Sequence, residues 1–292
     1  MESNFLTAVF LPLALFIIML GMGLGLVPKD FQRVLIQPKG VIFGLIAQLV
    51  MLPIVGFLLA SLFPLSPELA VGVMVLAACP GGPTSNMLAY LAGGNVALSV
   101  TLTAISSLIT VFTIPIVVNL SMQSFLGEGT ALQLSFLQTV VQIAVITIVP
   151  VSIGMLLRRY APLFSEKAEK WVKWISIFFM ALIVFGLLLK ERDNVSSYLL
   201  QVGWVTLTLN IITMALGYLL ASIVKLSHED ATAITCEVGI QNGTLAIAIA
   251  SAPTLLNNPT LSIPAAIYSL VMFLTGAAWA MWARRAAFNR IR

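Results

Sequence analysis

The sequence predicts an all-α polytopic membrane protein with nine transmembrane helices in inverted repeats, and three observations carry that prediction. Apolar residues make up 60% of the 292 and charged residues only 9%, against about 25% charged in a soluble domain. Mean hydropathy of +1.05 is too high for a chain that must keep a wet surface. Nine apolar runs recur at lengths near the ~20 residues that cross the hydrocarbon.

Each run must be a helix, because only helices or closed barrels satisfy the backbone in lipid. None shows the alternation of a barrel strand. The first, 5–26, follows only Glu2 and lacks a basic leader, so it reads as a span rather than a cleaved signal. The second, 41–63, carries Gln48 at its middle. The third, 69–92, is interrupted by Cys79-Pro80-Gly81-Gly82-Pro83. Proline removes a donor and clashes with the preceding turn, so no α-helix continues through it. The fourth, 96–120, carries Ser99 and Thr103 one helical turn apart on one face. The fifth to seventh, 136–157, 172–189 and 197–224, are uninterrupted. The eighth, 230–252, is broken at Glu237 to Gly243, and the ninth is 262–283.

The basic residues set the orientation. One side of the membrane receives Lys29, Arg33, Lys39, Arg158, Arg159, Lys167, Lys170, Lys173, Lys225, Arg284, Arg285, Arg290 and Arg292; the other receives only Lys190 and Arg192. Cytoplasmic loops carry the excess of Lys and Arg. The N-terminus is therefore expected outside and the C-terminus in the cytoplasm, in the cell (inner) membrane. A net charge of +4 spread between spans points to no nucleic acid. No obligatory protein partner is implied. Asn119-Leu120-Ser121 and Asn194-Val195-Ser196 match the glycosylation triplet by letter only and read as chance.

Sliding the chain by 157 residues places Cys79 on Cys236, Gly82 on Gly239 and Leu88 on Leu245. The charge sorting makes these two broken spans run in opposite directions. Paired interrupted helices of opposite direction mark an inverted-repeat secondary transporter. The repeats are unequal: 1–122 holds four helices, lacking a first, and 136–292 holds five.

Glu237 is the one acidic residue of eleven deep inside a span. A carboxylate there costs at least ~2.5 kcal/mol in lipid, so it is expected to face a protein-lined ion or substrate site. Ser85, Asn86, Gln241 and Asn242 add neutral oxygens beside it. One carboxylate among neutral oxygens suits sodium better than calcium or a transition metal. Ser99 and Thr103 hydroxyls also commonly bond their own backbone, and Gln48 serves equally as an interhelical bond. Cys79 and Cys236 read as free buried thiols. An intramembrane enzyme is disfavoured, since the spans hold no His-Glu-x-x-His, paired aspartates or Ser-His pair.

Cys79-Pro80-Gly81-Gly82 with Ser85-Asn86, then Gly94-Asn95-Val96-Ala97-Leu98-Ser99, then Glu237-Val238-Gly239 with Gln241-Asn242, resemble the bile acid:sodium symporter family in order and spacing. The resemblance implies a panel domain (here 5–26, 136–157 and 172–189) and a core of the remaining helices, with two discontinuous helices crossing. It implies two sodium ions. One would be held by Ser85, Asn86, Ser99, Thr103 and Glu237. The other would be held by Gln48, Glu237 and Gln241 with the carbonyls of Val238 and Ile240. It implies a symporter of an organic anion, bile acid-like or a small carboxylate, working by alternating access. The alternative is a proton-coupled carrier or exchanger with Glu237 as the proton site. Two departures touch the substrate side: Pro83 follows the double glycine, and Val271-Met272-Phe273 replaces a polar pair of some bacterial relatives. Thr84, Asn242 and Met272 are the substrate-binding candidates.

Overall fold

The computed structural model describes residues 10–127, 134–190 and 195–291. The start of the first span, Arg192, Asn194 and Arg292 lie outside the described residues, as do the side chains of Lys173, Lys190 and Arg290. Among the described residues the chain is all-helical.

Helix α1 (Leu11–Gly25) ends where Leu26 turns extended, and α2 (Pro28–Ile36) leaves it at 62°. The span limits 5–26 and 41–63 predict a connection over 27–40. A short helix forms there because Pro28 suits a first turn and the Asp30 carboxylate accepts the Val27 N–H at 2.8 Å. Its mixture of Phe31, Val34 and Leu35 with Lys29, Gln32 and Arg33 fits a helix lying in the membrane interface.

The second span is α3 (Pro38–Ile46), a π-turn (Ala47–Met51) and α4 (Leu52–Leu62). Pro53 cannot donate to the preceding turn, and the helix widens just before it. That widening carries Gln48. Then follow the broken pair α5 (Pro67–Ala78) and α6 (Pro83–Ala92), and α7 (Val96–Leu126). Asn119 sits inside α7 with both ends of its amide bonded to the Leu134 backbone, at 2.9 and 3.0 Å. Helices α8 (Phe136–Tyr160), α9 (Pro162–Lys190) and α10 (Val195–Ile223) precede the second broken pair, α11 (His228–Gly239) and α12 (Gly243–Ser251). A short 3₁₀ turn (Pro259–Ser262) leads into α13 (Ile263–Ile291). Six of these elements are long and apolar enough to cross a membrane, and the bent α1–α2 pair supplies up to one more. Each half of a broken pair is too short to cross alone.

Helix α1 packs mainly on α8 and α9. A side chain at Gly154 of α8 would run into the α1 backbone at Leu20 and Gly23. This is the close small-residue contact by which helices associate in lipid. The two broken pairs lie among α7, α10 and α13; α12 is buried along its whole length and α11 from Ala231 to its end. Large apolar side chains such as Leu13, Ile54, Phe112, Val145 and Trp174 face outward, as a lipid-bathed surface requires.

The two broken pairs are capped alike, in a different register from the cysteine match. Ser66 caps α5 through Leu69 N–H at 3.4 Å, and Ser227 caps α11 through Asp230 N–H at 3.0 Å. Both helices carry an acid in the first turn and run 12 residues to the break. Both ends therefore correspond at a shift of 161 residues. The identities of Cys79 with Cys236 and Gly82 with Gly239, by contrast, match at 157.

Candidate functional site

The two breaks meet. Cys79 and Gly82 are extended on one strand of the crossing, and Ile240 is extended on the other. Gly81 and Gln241 form an antiparallel bridge, and Asn242 N–H donates to the Pro80 carbonyl at 2.9 Å. Each break thus satisfies backbone groups of the other, which a break in the membrane must do. Gly81 is required at this place: a Cβ there would occupy the position of the Glu237 carboxylate.

Glu237, on the last turn of α11, is fully buried. Ser85 Oγ donates to its Oε2 at 2.7 Å, and Thr103 Oγ1 lies 2.9 and 2.8 Å from its two oxygens. The Asn86 amide oxygen accepts from Ser99 Oγ at 2.8 Å and Thr103 Oγ1 at 3.1 Å. Five side chains from α6, α7 and α11 therefore converge in one oxygen-rich cluster. Local structure explains the set. Ser85 and Asn86 sit in the first turn of α6, immediately after the break, and Asn95 caps α7 so that Ser99 and Thr103 face it.

A second cluster lies on the other side of α11. Gln48 Nε2 donates to Gln241 Oε1 at 2.8 Å and to the Cys79 carbonyl at 3.0 Å. Gln241 Nε2 donates to the Val238 carbonyl at 2.6 Å and lies 3.4 Å from the Glu237 carbonyl. Two side-chain amide oxygens and three backbone carbonyls are gathered here around amide N–H groups, and an amide exchanges its N and O by simple rotation. Ile240 is buried at the end of α11, its N–H donating to Cys236 at 3.0 Å. Glu237 belongs to both clusters, through its carboxylate in one and its carbonyl in the other. Cys79 and Cys236 are free and buried.

A cavity lies beside the crossing. Gly82, Pro83 and Thr84 line it from the start of α6, and Asn242, Gly243 and Thr244 from the start of α12. Two helix N-termini open onto one space, and such ends favour an anion. Ile18 and Gly21 of α1 and Ser176 and Met180 of α9 form the facing wall. A cleft of about 440 Å³, lined by Asn86, Tyr90, Val96 and Glu169, shares Gly21, Met22, Pro83 and Met87 with it. Among the substrate candidates, Thr84 and Asn242 line the cavity, and the Asn242 side chain also caps α12 through Leu245 N–H at 3.0 Å. Met272 is fully buried in the packing of α13, while Phe273 lines an apolar fissure against α9 that shares Met180 with the cavity. Thr244, Ser176 and Met180 were missed. Thr244 lies two residues after Asn242 at a helix start, a detectable signal; residues of α9 carried none.

Buried breaks, an intramembrane carboxylate and convergent helix N-termini define a multi-span membrane transporter. A model of the sodium bile acid symporter family matches residues 12–198. The chain is 34% identical over 278 residues to the uncharacterized sodium-dependent transporter YocS of Bacillus subtilis, covering 94% of this chain and 84% of that one. It is 30% identical over 260 residues to a probable chloroplastic sodium/metabolite cotransporter, BASS1, of Oryza sativa subsp. japonica, covering 89% and 62%. It is 29% identical over 252 residues to the human ileal sodium/bile acid cotransporter, covering 82% and 70%. The chain spans less than two thirds of the rice relative. It belongs to the sodium bile acid symporter family.

Proposed function

We propose that this chain is a sodium-coupled symporter of an organic anion, working by alternating access in the cell membrane. The observation that carries the reading is Glu237, fully buried and shared by two oxygen clusters at an antiparallel crossing of broken helices. One sodium is assigned to Ser85, Asn86, Ser99, Thr103 and the Glu237 carboxylate. A second is assigned to Gln48, Gln241 and the backbone at Glu237, Val238 and Ile240. Two sodium ions against one carboxylate leave a net charge of +1. An anion in the adjoining cavity, near Thr84 and Asn242, is then stabilised by both ions and by the starts of α6 and α12. Sodium raises anion affinity, and the anion raises sodium affinity by the same factor.

Nine spans are supported by six long helices, α1, and two broken pairs. Residues 1–122 and 136–292 form the two repeats. Helices α1, α8 and α9 form the panel, and the others the core, a division supported by the packing of α1 on α8 and α9. Rocking of panel against core would expose the cavity alternately to either side. The one-sided Lys and Arg distribution supports an outside N-terminus and a cytoplasmic C-terminus.

The test is a thermal-shift and uptake screen of carboxylates and sulfates at fixed pH, each in sodium and in potassium. A hit that needs sodium is expected. Undiminished uptake in potassium would reject sodium coupling in favour of proton coupling at Glu237.

A further inference from the structure

Gly239 closes α11 between Val238 and Ile240, whose carbonyls belong to the second sodium site assigned above. The last carbonyls of a helix have no partner within it. The Gly239 carbonyl receives two donors from other helices. Asn210 Nδ2, from α10, lies 2.7 Å away, and the Tyr268 hydroxyl, from α13, 2.9 Å away. Asn210 Nδ2 also donates to the Tyr268 oxygen at 2.9 Å, closing a three-membered ring of bonds. Asn210 and Tyr268 are fully buried.

The amide orientation follows from chemistry. The Gly239 carbonyl can only accept, so the nitrogen of Asn210 must face it. Asn210 Oδ1 is then left buried without a hydrogen-bond partner. An unsatisfied buried amide oxygen is destabilising, and an apolar side chain in this position would avoid that. What the arrangement achieves is direction. The Gly239 carbonyl is held toward α10 and α13, while the Val238 carbonyl faces Gln241 at 2.6 Å on the side of Gln48. Met214 of α10 fills the space a Gly239 side chain would need, so α10 lies close against this peptide.

We propose that Asn210 and Tyr268 are positioning residues for the second sodium site. They fix the terminal peptides of α11 so that the Val238 and Ile240 carbonyls are presented to the ion, without touching it themselves. The proposal rests on the two-ion reading, and the experiment separates the two. Unfolding temperature of the purified full chain is measured across sodium concentrations, with potassium keeping ionic strength constant. The parent is compared with Tyr268→Phe, Asn210→Ala, Gln241→Ala and the double variant Tyr268→Phe/Gln241→Ala. Tyr268→Phe keeps the ring and its packing and removes one donor. The expected result is a sodium midpoint raised roughly five- to tenfold by Tyr268→Phe and by Asn210→Ala. The double variant should be no worse than Gln241→Ala, since both changes act through one site. A lower unfolding temperature in potassium with an unmoved sodium midpoint would overturn the proposal, making the pair a packing feature. So would failure of both single variants to fold. An unmoved midpoint in Gln241→Ala would instead remove the second ion site, and this proposal with it.

Discussion

Ser85 Oγ donates to Glu237 Oε2 at 2.7 Å, joining the first turn of α6 to the last turn of α11 across 152 positions of sequence. The bond ties the two broken helices together through the carboxylate itself. Glu237→Ala is expected to abolish sodium-dependent stabilisation and sodium-dependent anion binding while the protein stays folded in detergent. Thermal unfolding in sodium and in potassium measures it; a sodium shift equal to the parent's would contradict the assignment.

The two glycines of the first break should differ sharply. A Cβ on Gly81 would collide with the Glu237 carboxylate, whereas the nearest atoms to a Cβ on Gly82 lie 3.6 Å away. Gly81→Ala should displace the carboxylate, lower stability by about 1–3 kcal/mol and raise the sodium requirement. Gly82→Ala should leave both close to the parent. Unfolding midpoints and sodium titrations of the pair decide it, and equal effects would rule out the close approach as the cause.

The parts legible in sequence are those where lipid makes a residue type expensive. Glu237 stood out because a carboxylate has no place in hydrocarbon, and Pro80 and Pro83 because a helix cannot pass through them. The site partners Ser99, Thr103 and Gln48 were ambiguous, since hydroxyls and amides bond locally as readily as across helices. Asn210 and Tyr268 gave no pattern at all: their common target is a backbone carbonyl, which no side-chain spacing reveals. Helix α2 was missed because its alternation of Lys29, Phe31, Arg33 and Val34 reads as a loop until the Asp30 cap is seen. The residue identities and the helix ends match in registers four residues apart because small apolar residues recur by chance, whereas the caps Ser66 and Ser227 mark the helix starts.

Gln48 and Gln241 meet at 2.8 Å although 193 positions separate them. If both serve one ion, their effects on sodium affinity will not add. Gln48→Ala and Gln241→Ala should each raise the sodium midpoint, and the double variant should exceed the larger single effect only slightly. A double-mutant cycle on that midpoint measures the coupling. Additive effects would mean that the two amides serve separate places, and no effect from either would leave the second ion without ligands.

The cavity predicts which residues read the anion. Thr244 lines it from the first turn of α12, beside Asn242, whereas Met272 is fully buried in α13 away from it. Thr244→Val keeps the shape and removes a hydroxyl. It should weaken binding of whichever carboxylate or sulfate the screen identifies by roughly fivefold, the worth of one hydrogen bond, with the sodium midpoint unmoved in the absence of anion. Met272→Leu conserves volume in the packed interior and should change anion affinity by less than about twofold. Titration of the anion in saturating sodium compares the two. A larger loss from Met272→Leu than from Thr244→Val would move the anion site from the crossing to span nine, where the departure at Val271-Met272-Phe273 first suggested it.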